Sequence, residues 1–151
     1  MMKFLLPGLL LFMYYIQLSP TDDFSLHSIP LKDAFQEKSL TQSVEDGQVV
    51  YSEFCMRCHL ANGEGVEDVY PPLANSDWLE EKREASIKSV KYGLKGEIIV
   101  NGKTYNNNMT SMGLTDREVA DVMNYIMHNF GNETKNHEQV TLDEVKSLSN
   151  D

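Results

Sequence analysis

The chain has 151 residues, 41% of them hydrophobic, and carries 13 Lys and Arg against 23 Asp and Glu, a formal net charge of −10. That length bounds it to one compact domain plus extensions. The acidic balance, without a basic patch, a glycine-rich phosphate loop or a catalytic-triad pattern, speaks against nucleic-acid binding, nucleotide binding and triad catalysis.

Residues 1–19 open with Lys3 and continue in an apolar run over 4–16, broken by Pro7 and Gly8. The run is short for a membrane span and reads as a signal peptide or an N-terminal membrane anchor. Ser19-Pro20 stands where a small-residue cleavage site belongs, and no cysteine follows to carry a lipid. Residues 20–42 hold Pro20, Pro30, scattered serines and mixed charge without a sustained period, which reads as a linker. A folded domain is expected over residues 43–131. It opens with a helix: Ser43 as N-cap, Asp46 in the first turn, then Gly47, Val50, Tyr51 and Phe54 at helical spacing.

That helix runs into Cys55-Met56-Arg57-Cys58-His59, which holds the only two cysteines of the chain. C-x-x-C-H is the attachment signature of haem c. Two thiols add across the two vinyl groups of one haem, and the histidine gives its imidazole to the iron as proximal ligand. One turn of helix brings all three side chains to one surface. A zinc site would need a second Cys or His pair at short spacing, and His27, His128 and His137 supply none. A thioredoxin-like dithiol belongs in a strand–helix unit that does not surround Cys55. A disulfide closing so small a loop would stabilise little. One motif implies one haem.

Residues 76–92 read as helical, with Leu79, Ile87 and Val90 as apolar points. Trp78, the single tryptophan, is either a donor to a haem propionate or a half-buried core residue. Ile98-Ile99-Val100, Asn101-Gly102 and Lys103-Thr104-Tyr105 form a strong hairpin signal, because Asn-Gly suits a type I′ turn with positive φ at both positions. The hairpin leads into Asn106, Asn107, Asn108 and Met109. Thr115 and Glu118 then make a capping box. Val119, Val122, Met123, Ile126, Met127 and Phe130 follow on one helical stripe, with Gly131 as the stop. His128 falls off that stripe and reads as a surface histidine. Residues 132–151 are a polar tail in which Thr141, Glu144, Val145 and Leu148 give either a short docked helix or a frayed end. Among the methionines, Met56 lies inside the motif, and Met123 and Met127 sit on the core stripe. Met109 and Met112 remain as candidates for a sixth ligand.

With these motifs, residues 43–131 resemble a class I c-type cytochrome, a mono-haem member of the cytochrome c family. The resemblance implies a small all-α cytochrome c fold, three to five helices around one haem, here with a short β-hairpin inserted before the methionine-ligand loop. Gly47 and Tyr51 match the family's small-plus-aromatic pair on the first helix, and Tyr125 matches the aromatic on the last. In the family these helices cross nearly at right angles, and the glycine lets the backbones approach. Tyr70-Pro71-Pro72-Leu73-Ala74 resembles the family's proline-leucine loop. By that resemblance the Pro71 carbonyl accepts a hydrogen bond from the second ring nitrogen of His59 and fixes its tautomer, while Leu73 packs on the haem face. The family's position for the axial thioether points to Met109, with Thr110 where a proline usually follows.

The implied cofactor is one covalent haem c with its iron, ligated by His59 and Met109 and contacted by Cys55, Cys58, Pro71, Leu73 and Trp78. The implied function is an exported, periplasmic or otherwise extracytoplasmic electron carrier rather than an enzyme. It would exchange single electrons with redox protein partners that bear basic docking patches, on a membrane tether if the N-terminus is retained. Two alternatives stand beside it. One is the electron-transfer subunit of a larger periplasmic dehydrogenase or reductase; the other is a haem enzyme or gas sensor in which the methionine is absent or displaceable. Lys88, Lys91 and Lys95 mark a local positive edge against the net acidity.

Overall fold

The computed structural model describes residues 37–133 and 137–150. The apolar N-terminal run and most of the linker lie outside them. No helix among the described residues is long and apolar enough to cross a membrane. The fold is helical with one small hairpin, as the sequence predicts.

The first helix, α1 (Leu40–Val50), starts earlier than expected. Ser39, not Ser43, is its N-cap, accepting from the Gln42 N–H at 3.3 Å. Ser43 is buried inside the helix, where its hydroxyl donates to Asp121 Oδ1 at 2.6 Å and accepts from Asn124 Nδ2 at 2.9 Å. Asp46 is spent on Lys38 Nζ, 2.6 Å away, and on Gln42 Nε2 at 3.0 Å. Ser43, Gly47, Val50 and Tyr51 form the buried face at spacings of a helical stripe.

That face packs against α5 (Asp116–Met127), whose capping box between Thr115 and Glu118 is reciprocal, as predicted. The crossing is set at Gly47, where an added Cβ would lie 2.0 Å from the Asp121 carbonyl oxygen and 2.9 Å from Tyr125 Cβ. One turn on, the Tyr51 ring packs at 5.4 Å from Tyr125 and 5.1 Å from Phe130. The α5 helix ends at His128 rather than at Gly131. Gly131 does have positive φ (86°), but it follows Phe130, itself at φ 61°, in the turn beyond the helix. His128 is half-buried, not solvated: its ring nitrogens meet the Asn124 and His137 carbonyls at 2.9 and 3.2 Å.

Between these helices, α2 (Met56–His59) carries the cysteine motif. The predicted helix over 76–92 is two helices, α3 (Asp77–Glu81) and α4 (Arg83–Tyr92), broken at Lys82 (φ −124°, ψ 46°). Strands β2 (Ile98–Val100) and β3 (Lys103–Tyr105) form the predicted hairpin, with Asn101 at φ 52° and Gly102 at φ 75°. Val100 and Tyr105 face inward while Ile99 is 58% exposed, the alternation of a one-sided hairpin. Its turn is pinned to α3 by reciprocal bonds: Asn101 N–H donates to Asp77 Oδ1 (2.7 Å), and Asp77 N–H donates to Asn101 Oδ1 (3.0 Å). A second pair, β1 (Gly93–Leu94) with β4 (Met109–Thr110), was not legible in the sequence.

The tail docks on the domain. Val140 and Val145 are fully buried, and a last helix, α6 (Leu142–Ser147), is capped by Thr141. The Glu144 carboxylate does not return to its cap; both of its oxygens take the Arg83 guanidinium at 2.8 Å.

Replacing Gly47 by alanine tests the crossing. In an open helix this change gains up to about 1 kcal/mol. Here overpacking reverses the sign, and we expect a loss of about 1–3 kcal/mol in urea unfolding of the haem-loaded protein. A variant as stable as the wild type would show that the two backbones separate without cost.

Candidate functional site

Tyr51–Cys55 is a turn of π-helix between α1 and α2. It shifts the helical phase just ahead of the motif. Cys55 and Cys58 then lie three apart on one face, half-buried, while the Met56 and Arg57 between them are exposed. The helix stops at Leu60, which holds φ 63°, a conformation that costs a branched side chain about 1–3 kcal/mol. The Tyr51 hydroxyl, donating to the Leu60 carbonyl at 2.6 Å, holds that stop in place.

His59 is buried, and its Nδ1 lies 3.0 Å from the Pro71 carbonyl oxygen. An acceptor there requires the proton on Nδ1 and leaves the Nε2 lone pair for a metal. Burial pushes the ring's pKa below its ordinary value, and the Pro71 bond only partly offsets this. The imidazole is therefore neutral at pH 7, the form a metal takes. The loop that carries Pro71 is tied down on both sides. The Leu73 and Ala74 N–H groups donate to the Gly63 carbonyl at 2.7 and 2.9 Å. Asn132 Nδ2 donates to the Leu73 carbonyl at 2.8 Å and to the Ile126 carbonyl at 3.0 Å, and its Oδ1 accepts from the Ser76 N–H at 3.2 Å. Gly65 backs onto the same loop, where a Cβ would meet the Tyr70 and Pro71 carbonyl oxygens at 2.4 and 2.7 Å. Sequence reasoning missed Asn132 and the Tyr51–Leu60 bond, since in each case the side chain donates to a backbone carbonyl, which leaves no trace in residue type.

A cleft with two lobes, of about 250 Å³ and about 70 Å³, opens beside His59. Cys55, His59, Pro71 and Met109 line both. Cys58 lines the larger lobe; Leu73 and Trp78 line the smaller. Val90, Leu94 and Ile98 complete the shared wall. Met109 sits on β4, paired with Leu94, so a strand fixes its backbone. Gly93 lets the strands meet: at φ 85°, a Cβ there would lie 2.6 Å from the Met109 carbonyl oxygen. Met112 lines only the larger lobe and lies in the loop after β4. Met123 and Met127 are buried on α5, as expected, and Met123 reaches the smaller lobe.

Among the described residues, no Asp, Glu, Lys or Arg lines either lobe. Two thiols, a neutral imidazole with one nitrogen unspent, a thioether and apolar walls fit a flat, apolar, metal-bearing macrocycle. They do not fit a redox dithiol. Burial, with a smaller contribution from Cys58, pushes the Cys55 thiol up to about 11, whereas reactive C-x-x-C cysteines have lowered values.

Comparison with known proteins agrees. The family model for cytochrome c matches residues 44–130. Cytochrome c-552 of Thermus thermophilus is 38% identical over 110 residues, covering 68% of this chain and 83% of that one. The fructose dehydrogenase cytochrome subunit of Gluconobacter japonicus is 25% identical over 115 residues, covering 72% of this chain but 23% of that subunit. The cleft, its motif and these likenesses converge: the chain belongs to the cytochrome c family, electron carriers that hold haem c through covalent bonds.

Proposed function

We propose that the protein is an exported mono-haem carrier that passes single electrons through an iron ligated by His59 and Met109. The observation that carries the reading is that one apolar cleft is lined by both thiols, by an imidazole whose tautomer is fixed, and by a thioether fixed on a strand. Cys55 and Cys58 would hold the haem covalently, and His59 and Met109 would ligate its iron. Leu73 and Trp78 would pack on it. The haem supplies the one-electron chemistry; the chain supplies orientation and exclusion of water. Ligation by both His59 and Met109 would leave no site for a substrate, and the Met109 thioether would raise the reduction potential. The apolar run over residues 4–16 supports export, either as a cleaved signal or as a retained tether. The likeness to a dehydrogenase cytochrome subunit favours a second reading, in which the carrier is a fixed partner of a larger oxidoreductase. Co-purification of one stoichiometric protein would favour that reading.

The attachment predicts that haem stays with the polypeptide through denaturation and acid–acetone extraction. The double variant Cys55→Ala, Cys58→Ala should lose it. Freely extractable haem in the wild type would defeat the assignment.

The ligation predicts a weak far-red absorption band in the ferric protein. Met109→Ala should abolish the band and lower the potential; Met112→Ala should leave both. The reverse pattern would assign the ligand to Met112.

Docking follows from charge and from the rim of the cleft. The positive edge expected at Lys88, Lys91 and Lys95 is largely neutralised: Lys88 pairs with Glu84 at 3.0 Å and Lys91 with Asp116 at 2.9 Å. Acidity therefore governs encounter, and a partner with a basic patch is favoured. Phe54 (37% exposed) and Val69 (38% exposed) line the larger lobe and offer apolar contact at its rim. Steering of this kind raises association rates by roughly 10–10³-fold and is screened over about 8 Å at physiological salt. The bimolecular electron-transfer rate with the native partner should therefore fall as ionic strength rises. A flat or rising rate would mean that the apolar rim leads docking and the acidic surface serves solubility.

A further inference from the structure

Asn107 Nδ2 donates to the Val69 carbonyl at 2.9 Å, and both residues line the larger lobe. Their positions in the chain give this bond its meaning. Val69 stands two residues before Pro71, whose carbonyl orients His59. Asn107 stands two residues before Met109 on β4. One side-chain amide thus joins the loop that supports the histidine to the strand that carries the methionine.

The receiving side is stiff. Residues 66–70 close on themselves through Val66 N–H to the Tyr70 carbonyl (2.9 Å) and Tyr70 N–H to the Val66 carbonyl (2.8 Å), with Asp68 at φ 62°. Gly65 packs against the carbonyls just beyond. A second tie comes from the same hairpin: Lys103 on β3 pairs with Glu67, and with Asp68 at 3.5 Å. Asn107 is exposed and contributes nothing to the helical core. Its bond therefore serves the cleft rather than the stability of the domain.

We propose that Asn107, seconded by Lys103, is a positioning residue that clasps the two walls of the cleft and makes the methionine ligand slow to displace. This rests on ligation by Met109 as proposed above. An external ligand such as imidazole binds a six-coordinate iron only after the methionine leaves. Its rate at saturating concentration then reports how often the clasped wall opens.

The test measures imidazole binding to the ferric, haem-loaded protein by stopped flow, beside the far-red band and the urea midpoint. Asn107→Ala should raise the saturating rate about three- to tenfold, the worth of one hydrogen bond, while keeping the band and the midpoint. Asn107→Asp, which sets a carboxylate against the Val69 carbonyl, should raise it at least as much. Lys103→Gln should raise it less, since an exposed ion pair contributes little. Rates equal to the wild type in both Asn107 variants would overturn the clasp. So would a rise matched by a fall in the urea midpoint, which marks general destabilisation. The two readings fail separately: a band abolished by Met109→Ala with unchanged imidazole rates removes the clasp alone, whereas a wild type without the band removes the ligation reading and the clasp with it.

Discussion

At Gly47 the backbones of α1 and α5 come so close that a β-carbon would lie 2.0 Å from the Asp121 carbonyl oxygen. With no side chain between them, polar groups on the two helices come within direct reach. Ser43, one turn before Gly47, bonds both Asp121 and Asn124, and Lys38 meets the same Asp121 carboxylate at 2.6 Å from the segment before the helix. A buried carboxylate without such partners costs several kcal/mol, so the close approach and the polar cluster require each other. Tyr51, one turn after Gly47, packs on Tyr125 and Phe130 and holds the Leu60 carbonyl. The crossing therefore fixes both ends of the segment that presents Cys55, Cys58 and His59.

A small domain built around a large apolar group has a structural difficulty. The side chains that line the cleft face the group instead of one another, so the walls cannot be held by their own packing. In this chain the walls are held from behind by polar ties. Asn132 bonds the Pro71 loop to the end of α5. Asn101 and Asp77 pin the hairpin turn to α3. Arg83 reaches the carbonyls of Glu138 and Gln139 as well as Glu144, which draws the tail across the back of α4. Hydrogen bonds are directional and short-ranged, so they fix distance and angle where an apolar contact would permit sliding. For a cleft that must hold a rigid haem in one position, fixed geometry matters more than added stability.

Sequence reading succeeded where the deciding chemistry is local. Asn101-Gly102 announces its turn because positive φ at two successive positions is a property of those residues alone. Thr115 and Glu118 announce a helix start because each satisfies the other's backbone. It failed where remote partners decide. Ser39 and Ser43 are equally good caps one turn apart, and what removes Ser43 from the choice is Asp121 and Asn124, some 80 residues on. Gly131 has the positive φ that a stop requires, but the chain uses it after Phe130, three residues past the helix end. The β1–β4 pair has two residues a side, too short for any period to register. In the site, the motif made the cysteines and histidine legible, and the family resemblance supplied the Pro71 carbonyl. The bond from Asn107 to Val69 was not legible, because Val69 accepts through its backbone and so leaves no trace in side-chain type.

The distribution of charge follows the same layering. Among the described residues no charged side chain lines either lobe, while the full chain is net −10. A low-dielectric interior penalises added charge. Ferric haem carries one more positive charge than ferrous, so an apolar cleft favours the reduced state. The acidic exterior acts oppositely, since negative charge stabilises the oxidised centre, but solvent and salt screen it over about 8 Å. The two effects therefore act on different steps. The interior governs the energy of the electron once it has arrived, and the exterior governs the encounter that delivers it. A partner can change through surface substitutions alone, leaving the potential set by the residues that line the cleft.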